Sequence, residues 1–116
     1  MERKSTELTD APDVTMPGTA RRIARTRPEL WKAYQTLGTL ISEAGPLSER
    51  ERRLVHLAYA LGSPSEGAAH SHVRRALSES ITAEELEHVA LLATTTLGWP
   101  QAVRALALVQ DITTPS

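Results

Sequence analysis

The chain of 116 residues contains no cysteine and no phenylalanine, and its aromatics are two tryptophans and two tyrosines. The missing cysteine removes disulfides, thiolate nucleophiles and thiolate metal sites together. Few aromatics leave the core to Leu, Ala, Val and Ile, within an apolar content of 41%. Leucine and alanine lose little side-chain freedom in a helix and favour it. A core of such small side chains buries less per residue, so self-association is expected to supplement it. The sequence also lacks an excess of either charge: the formal net charge is −1, with acids and bases mixed. A nucleic-acid partner, which calls for concentrated Lys and Arg, is therefore not expected. No apolar run approaches the roughly 18–20 residues of a membrane span. Met1 to Asp10 are too polar for a signal peptide. These readings point to a soluble, cytoplasmic protein without a membrane partner.

Residues 1–20 carry Pro12, Pro17 and Gly18 among Ser, Thr and Asp without apolar periodicity, which reads as a flexible N-terminal arm or a segment that docks on a partner. Residues 21–116 read as one helical domain. Arg21, Arg22, Arg25 and Arg27 form a charged lead-in, or a cationic lid over an anionic ligand. Leu30, Tyr34, Leu37 and Ile41 recur at helical spacing from Pro28 to about Glu43, where Gly45-Pro46 follows. Ser48 with Glu51 has the form of a capping box, opening a helix with Leu54, Val55, Ala58 and Leu61 on one stripe and a stop at Gly62. Ser63-Pro64-Ser65-Glu66 has a similar form and predicts a third helix from Pro64 to about Ser80. Thr82 with Glu85 opens a fourth, with Leu86, Val89, Ala90, Ala93 and Leu97, closed by Gly98. A last helix spans about Pro100 to Asp111 with Val103, Leu106, Ala107 and Gln110. No segment alternates with period two. The fold class is all-α, a compact domain of five to six helices.

Candidate chemistry concentrates between Ser65 and His72. At about 100° per residue, Ala69, Val73, Ala76 and Leu77 share the core stripe of the third helix. Glu66 and His70 lie on one edge of it, and Ser65, Ala68 and His72 on the other. A single straight helix thus cannot aim Glu66, His70 and His72 at one atom; it offers two half-sites. Glu66 and His70 have the spacing of a carboxylate–imidazole hydrogen bond, suited to acid/base work, to two metal ligands or to a purely structural pair. A metal needs a third ligand, and His88 on the next helix or a partner subunit is the evident source. His72 beside Ala68 and Ser65 leaves room for a ligand, or packs at a helix or subunit contact. His56, beside Arg52 and Arg53, reads as surface or rim, and His88 as sitting between helices.

The ordered set Arg53-Leu54-Val55, Leu61-Gly62, Glu66-Gly67-Ala68 with His70-Ser71-His72, Arg75-Ala76-Leu77, Thr82-Ala83-Glu84-Glu85-Leu86 and Thr96-Leu97-Gly98-Trp99-Pro100 resembles the carboxymuconolactone decarboxylase and alkylhydroperoxidase-D-like superfamily. The resemblance implies a helical fold assembled into trimers or hexamers, with active sites near subunit contacts. Laid on the peroxidase branch, the positions of its two redox cysteines fall on Ser65 and Ala68, that of its histidine on His72, and that of its relay glutamate on Arg53. Thiol-based peroxide reduction is thereby excluded. The decarboxylase branch has a glutamate where Ala68 stands. The chain looks like a cysteine-free subgroup with the signature Glu-Gly-Ala-x-His-Ser-His.

Four functions are weighed on this basis. The preferred one is a cofactor-independent acid/base enzyme for a small-molecule substrate, an organic acid, lactone or related carbonyl compound. His72 would move the proton, with His70 and Glu66 orienting it or forming a second relay. Arg53, Ser65, Arg75 and His88 are the candidate substrate-binding residues. The others are a non-catalytic oligomeric accessory protein, a metalloprotein on Glu66 and His70, and, least favoured, a helix-turn-helix regulator suggested by the short Gly62–Ser65 connection.

Overall fold

In the computed structural model, residues 18–114 are described. The expected arm lies outside the described residues up to residue 17, and Gly18 to Ala20 already belong to a helix. The described residues form six α-helices, α1 (Gly18–Thr26), α2 (Pro28–Ser42), α3 (Glu49–Gly62), α4 (Glu66–Ser78), α5 (Ala83–Leu92) and α6 (Trp99–Thr113), with a 3-10 turn, Ala93–Thr95, after α5. There are no strands among them, so the all-α class holds. The helix α1 is an addition to the helices expected from the sequence, where its arginines read as a charged lead-in or a cationic lid.

The chain divides into two units, Met1–Leu47 and Ser48–Ser116. In the first, α1 passes into α2 through a tight connection in which the Arg27 N–H donates to the Ile23 carbonyl and the Trp31 N–H to that of Arg27. Pro28 stands in the first turn of α2, where its missing N–H costs nothing. The helix presents the expected stripe, yet Leu30, Tyr34, Leu37 and Ile41 are each more than half exposed.

The second unit is built from caps outward. Ser48 accepts from the Glu51 N–H while Glu51 accepts from the Ser48 N–H, and Thr82 and Glu85 do the same at α5. Both boxes are those expected, and the bonds to the cap hold the Glu51 and Glu85 carboxyls below their ordinary range. The third helix begins later than expected. Ser65, not Ser63, is its cap, accepting from the Ala68 N–H. The Ser63 hydroxyl instead donates back to the Ala60 carbonyl at the end of α3. At the other end of α4, the Ile81 N–H donates to the Ala76 carbonyl and the Ser80 N–H to that of Leu77. Ser80 is left-handed at φ 73°, and Ile81 tucks into the core, the pattern of a Schellman cap.

Helix α3 packs on α4, α4 on α6, and α5 on α6. Leu57, Leu61, Ala69, Val73, Ala76, Ile81, Leu86, Ala90, Ala105, Leu108 and Val109 fill the space between, a core of Leu, Ala, Val and Ile only. The α4 stripe is the expected one. Two others are rotated. On α3, Leu57 and Ala60 are buried while Val55 and Ala58 are exposed. On α6, Ala102, Ala105, Leu108 and Val109 are buried, while Val103, Ala107 and Gln110 face out. Both helices carry apolar residues on more than one side, so several stripes fit their sequences. The neighbouring helices choose among them. Helix α5 also stops early, and Leu97 is exposed.

Candidate functional site

His72 occupies the face of α4 that turns towards α3. Helix α4 buries Ala69, Val73 and Ala76, and this anchors the ring of His72 half-buried beside the stripe. Its Nδ1 is buried and has no hydrogen-bond partner. The ring of His56, from α3, lies with its centroid 6.2 Å away and tilted by 58°. Burial first, then the charges of Arg75 and Arg53 and the neighbouring His56, push His72 down from 6.5 to about 4. His56 is also lowered, by burial first and then by Arg53, Arg75 and Arg52. Both imidazoles are therefore neutral near pH 7, each with one N–H and one lone pair.

Arg53 is the second buried element of this group, its side chain only 14% exposed. Its Nε and Nη2 donate to the two carboxylate oxygens of Glu79, at 2.9 Å each. This two-pronged pairing suits a planar guanidinium. The Nη1 atom is buried and without a partner. Arg53 and Glu79 also border a surface depression with Ser48, Glu49, Arg50 and Ile81. The Arg50 guanidinium itself pairs with Glu85, tying α3 to α5.

The fold thus brings together Arg53, Arg75 and His72 of the expected residues and adds His56. The pairing of His56 and His72 depends on how α3 lies against α4. No local pattern signals it; only their common placement beside arginines does. The remaining candidates lie elsewhere. His70 does not pair with Glu66: its Nε2 bonds the Asp111 carboxylate of α6 at 2.9 Å. Glu66 is exposed in the first turn of α4, where its charge favours the helix N-terminus. Ser65 is engaged as the cap of α4. His88 is exposed rather than set between helices, because α5 turns Leu86 and Ala90 to the core and His88 lies two positions from each. Among the described residues, no group of three or more His, Cys, Asp or Glu is placed to hold a metal ion. An apolar cleft of about 240 Å³, walled by residues such as Ala58, Leu61, Val89, Ala93 and Leu97, includes none of the candidate residues. No helix among the described residues is long and apolar enough to cross a membrane.

Chemically, a neutral imidazole with an unused nitrogen, under the influence of the Arg75 and Arg53 charges, can accept a proton while the cations stabilise negative charge left on the donor. Compared with known protein families, residues 28–111 match the carboxymuconolactone decarboxylase family, and the chain belongs to it. No curated protein and no solved structure matches the chain.

Proposed function

We propose that this member of the carboxymuconolactone decarboxylase family is a cofactor-independent acid/base enzyme acting on a small organic acid, lactone or related carbonyl compound. Decarboxylation, isomerisation and ring opening or closing all need a base and a charge stabiliser. His72 is the base in this reading. Arg75 and the unpartnered Nη1 of Arg53 stabilise the carboxylate or enolate. Thiol chemistry has no place in it, since the sequence holds no cysteine. The observation that carries the reading is the buried, unpartnered Nδ1 of His72 in a cationic setting. Such an atom costs folding free energy, and a role in binding or catalysis is one reason for a fold to keep it.

The reading extends to a cytoplasmic homo-oligomer, a trimer or hexamer. The exposed Leu30, Tyr34, Leu37 and Ile41 stripe of α2 supports self-association, because a contiguous apolar helix face in water marks a contact surface. The accessory-protein reading has one observation in its favour: His70, half of the second candidate site, is engaged with Asp111 as a link between α4 and α6.

The test is turnover of a panel of small lactones, 2-oxo acids and 3-oxo acids by the wild type and by His72→Ala. Loss of turnover in the variant with a nearly unchanged Tm is expected. Full activity without the imidazole would refute the assignment. A wild type that turns over no member of the panel, and whose His72 resonances do not respond to acetate or malonate, would favour the accessory protein.

A further inference from the structure

Helix α2 buries its polar side and leaves its apolar side in water. Gln35 is its buried residue, and the Oε1 atom of Gln35 and the Nε1 atom of the partly buried Trp31, one turn earlier, lie inside without partners. Leu30, Tyr34, Leu37 and Ile41, on another face, are each more than half exposed. Among the described residues of this unit, α1 adds only Ala24 to what is buried. Two short helices with so little between them have almost no core, and a helix is held chiefly by packing its apolar face. The α2 stripe is a convex ridge in need of a cover.

The second unit carries the opposite shape. Its apolar cleft holds about 240 Å³, more than the roughly 150 Å³ that takes a benzene-sized group. Ala58, Gly62 and Ala93 give it short walls that let a helix come close, and Leu92 and Leu97 at the same cleft are more than half exposed. Charge follows the same division. In the described part of the first unit Arg21, Arg22, Arg25, Arg27 and Lys32 outnumber Glu29 and Glu43, whereas acids outnumber bases in the second, with Glu84, Glu85 and Glu87 at the start of α5. Opposite charge steers one unit towards the other and opposes pairing of like with like.

From these surfaces we propose that the cleft receives the α2 ridge of a second copy of this chain, with Tyr34 and Leu37, at the middle of the ridge, as the side chains that enter it. The proposal deepens the homo-oligomer reading above and rests on it. Every copy carries one ridge and one cleft, so the two are present in equal number. An anionic membrane would cover the ridge and its neighbouring arginines but leave the cleft open. Because the two surfaces differ, the contact runs from one copy to the next. A closed ring, whose smallest form is the reciprocal dimer, leaves neither surface uncovered.

The test is complementation between two variants of the full chain, read as mass by sedimentation velocity. Tyr34→Glu with Leu37→Glu spoils the ridge and keeps the cleft; Ala58→Arg fills the cleft and keeps the ridge. The wild type is expected to sediment as an oligomer, each variant alone as the 12.7 kDa monomer, and their equimolar mixture as a one-to-one pair. Either variant remaining oligomeric alone overturns the contact; if only the cleft variant does so, ridge pairs with ridge and the homo-oligomer reading survives. A mixture that stays monomeric overturns it likewise. A wild type that is monomeric at every concentration removes both readings, and binding of that monomer to vesicles of anionic phospholipid, lost in the ridge variant, would identify a membrane as the cover. The substituted positions are exposed, and circular dichroism checks each fold. Should Ala58→Arg be disturbed, Thr96→Arg, exposed at the same cleft, is read in its place, and Leu30→Glu with Ile41→Glu replaces the ridge variant in the same way.

Discussion

Replacing His72 by glutamine should remove a pH-dependent part of the folding free energy. In the unfolded chain the imidazole titrates at its ordinary 6.5, and in the folded chain at about 4, chiefly because burial disfavours its charged form. Between these values the unfolded state binds a proton that the folded state does not, so stability falls as pH drops through the window. At about 1.4 kcal/mol per pH unit, the full difference amounts to ~3 kcal/mol. The ring is only half-buried, so solvent screening cuts this to about 1–2 kcal/mol. The assay is urea unfolding of wild type and His72→Gln at about pH 7 and about pH 4.5. The wild type should lose about 1–2 kcal/mol more than the variant over that span. Carboxylates that titrate in the same range act in both proteins and cancel in the difference. Equal losses would refute the reasoning, because they would mean that His72 charges in the folded state without penalty.

Further outcomes follow from particular residues and contacts. Glu79→Gln leaves the largely buried Arg53 guanidinium without its counter-charge and should cost about 1–3 kcal/mol in urea unfolding. The same variant should lower the His72 titration further, since Arg53 then acts on it unneutralised. Ser80→Gly should raise stability by about 1 kcal/mol, because Ser80 holds a left-handed conformation that glycine adopts without strain. Leu57→Ala, at a fully buried position in the core, should cost about 2–5 kcal/mol and lower Tm accordingly. A double-mutant cycle of His70→Ala with Asp111→Asn should give a coupling of about 1 kcal/mol or less, as the carboxylate is largely exposed.

The parts of this molecule that could be read from the sequence are those set by neighbours a few residues apart. The boxes at Ser48 and Thr82 are closed within three residues, and the α4 stripe of Ala69, Val73 and Ala76 is the only apolar one that helix offers. The start of α4 is ambiguous in the sequence because both Ser63 and Ser65 are capping residues by type, and the choice depends on Ser63 turning back to Ala60. The buried faces of α3 and α6 differ from the expected stripes because alanines and valines cover more than one side of each helix. Helix α1 is hard to read from the sequence because Ala20, Ile23 and Ala24 are its only apolar side chains, set among Arg21, Arg22 and Arg25. At the site, the helical face of His72 was legible. The Arg53–Glu79 pair joins residues 26 apart and the His70–Asp111 pair residues 41 apart, and no local pattern could supply either. His56 reads as a surface or rim residue and is exposed; its closeness to His72 is a product of helix packing.

The account stands on His72 being an uncharged, unpartnered base among cations. The most direct test is the titration of its ring in the folded full-length chain, followed by NMR of the imidazole nitrogens. Protonation at about 4, with the ring neutral throughout the range around pH 7, is the predicted result. Titration at or above the ordinary 6.5 would contradict it, because it would show a solvated or acid-paired histidine that has no need of a ligand.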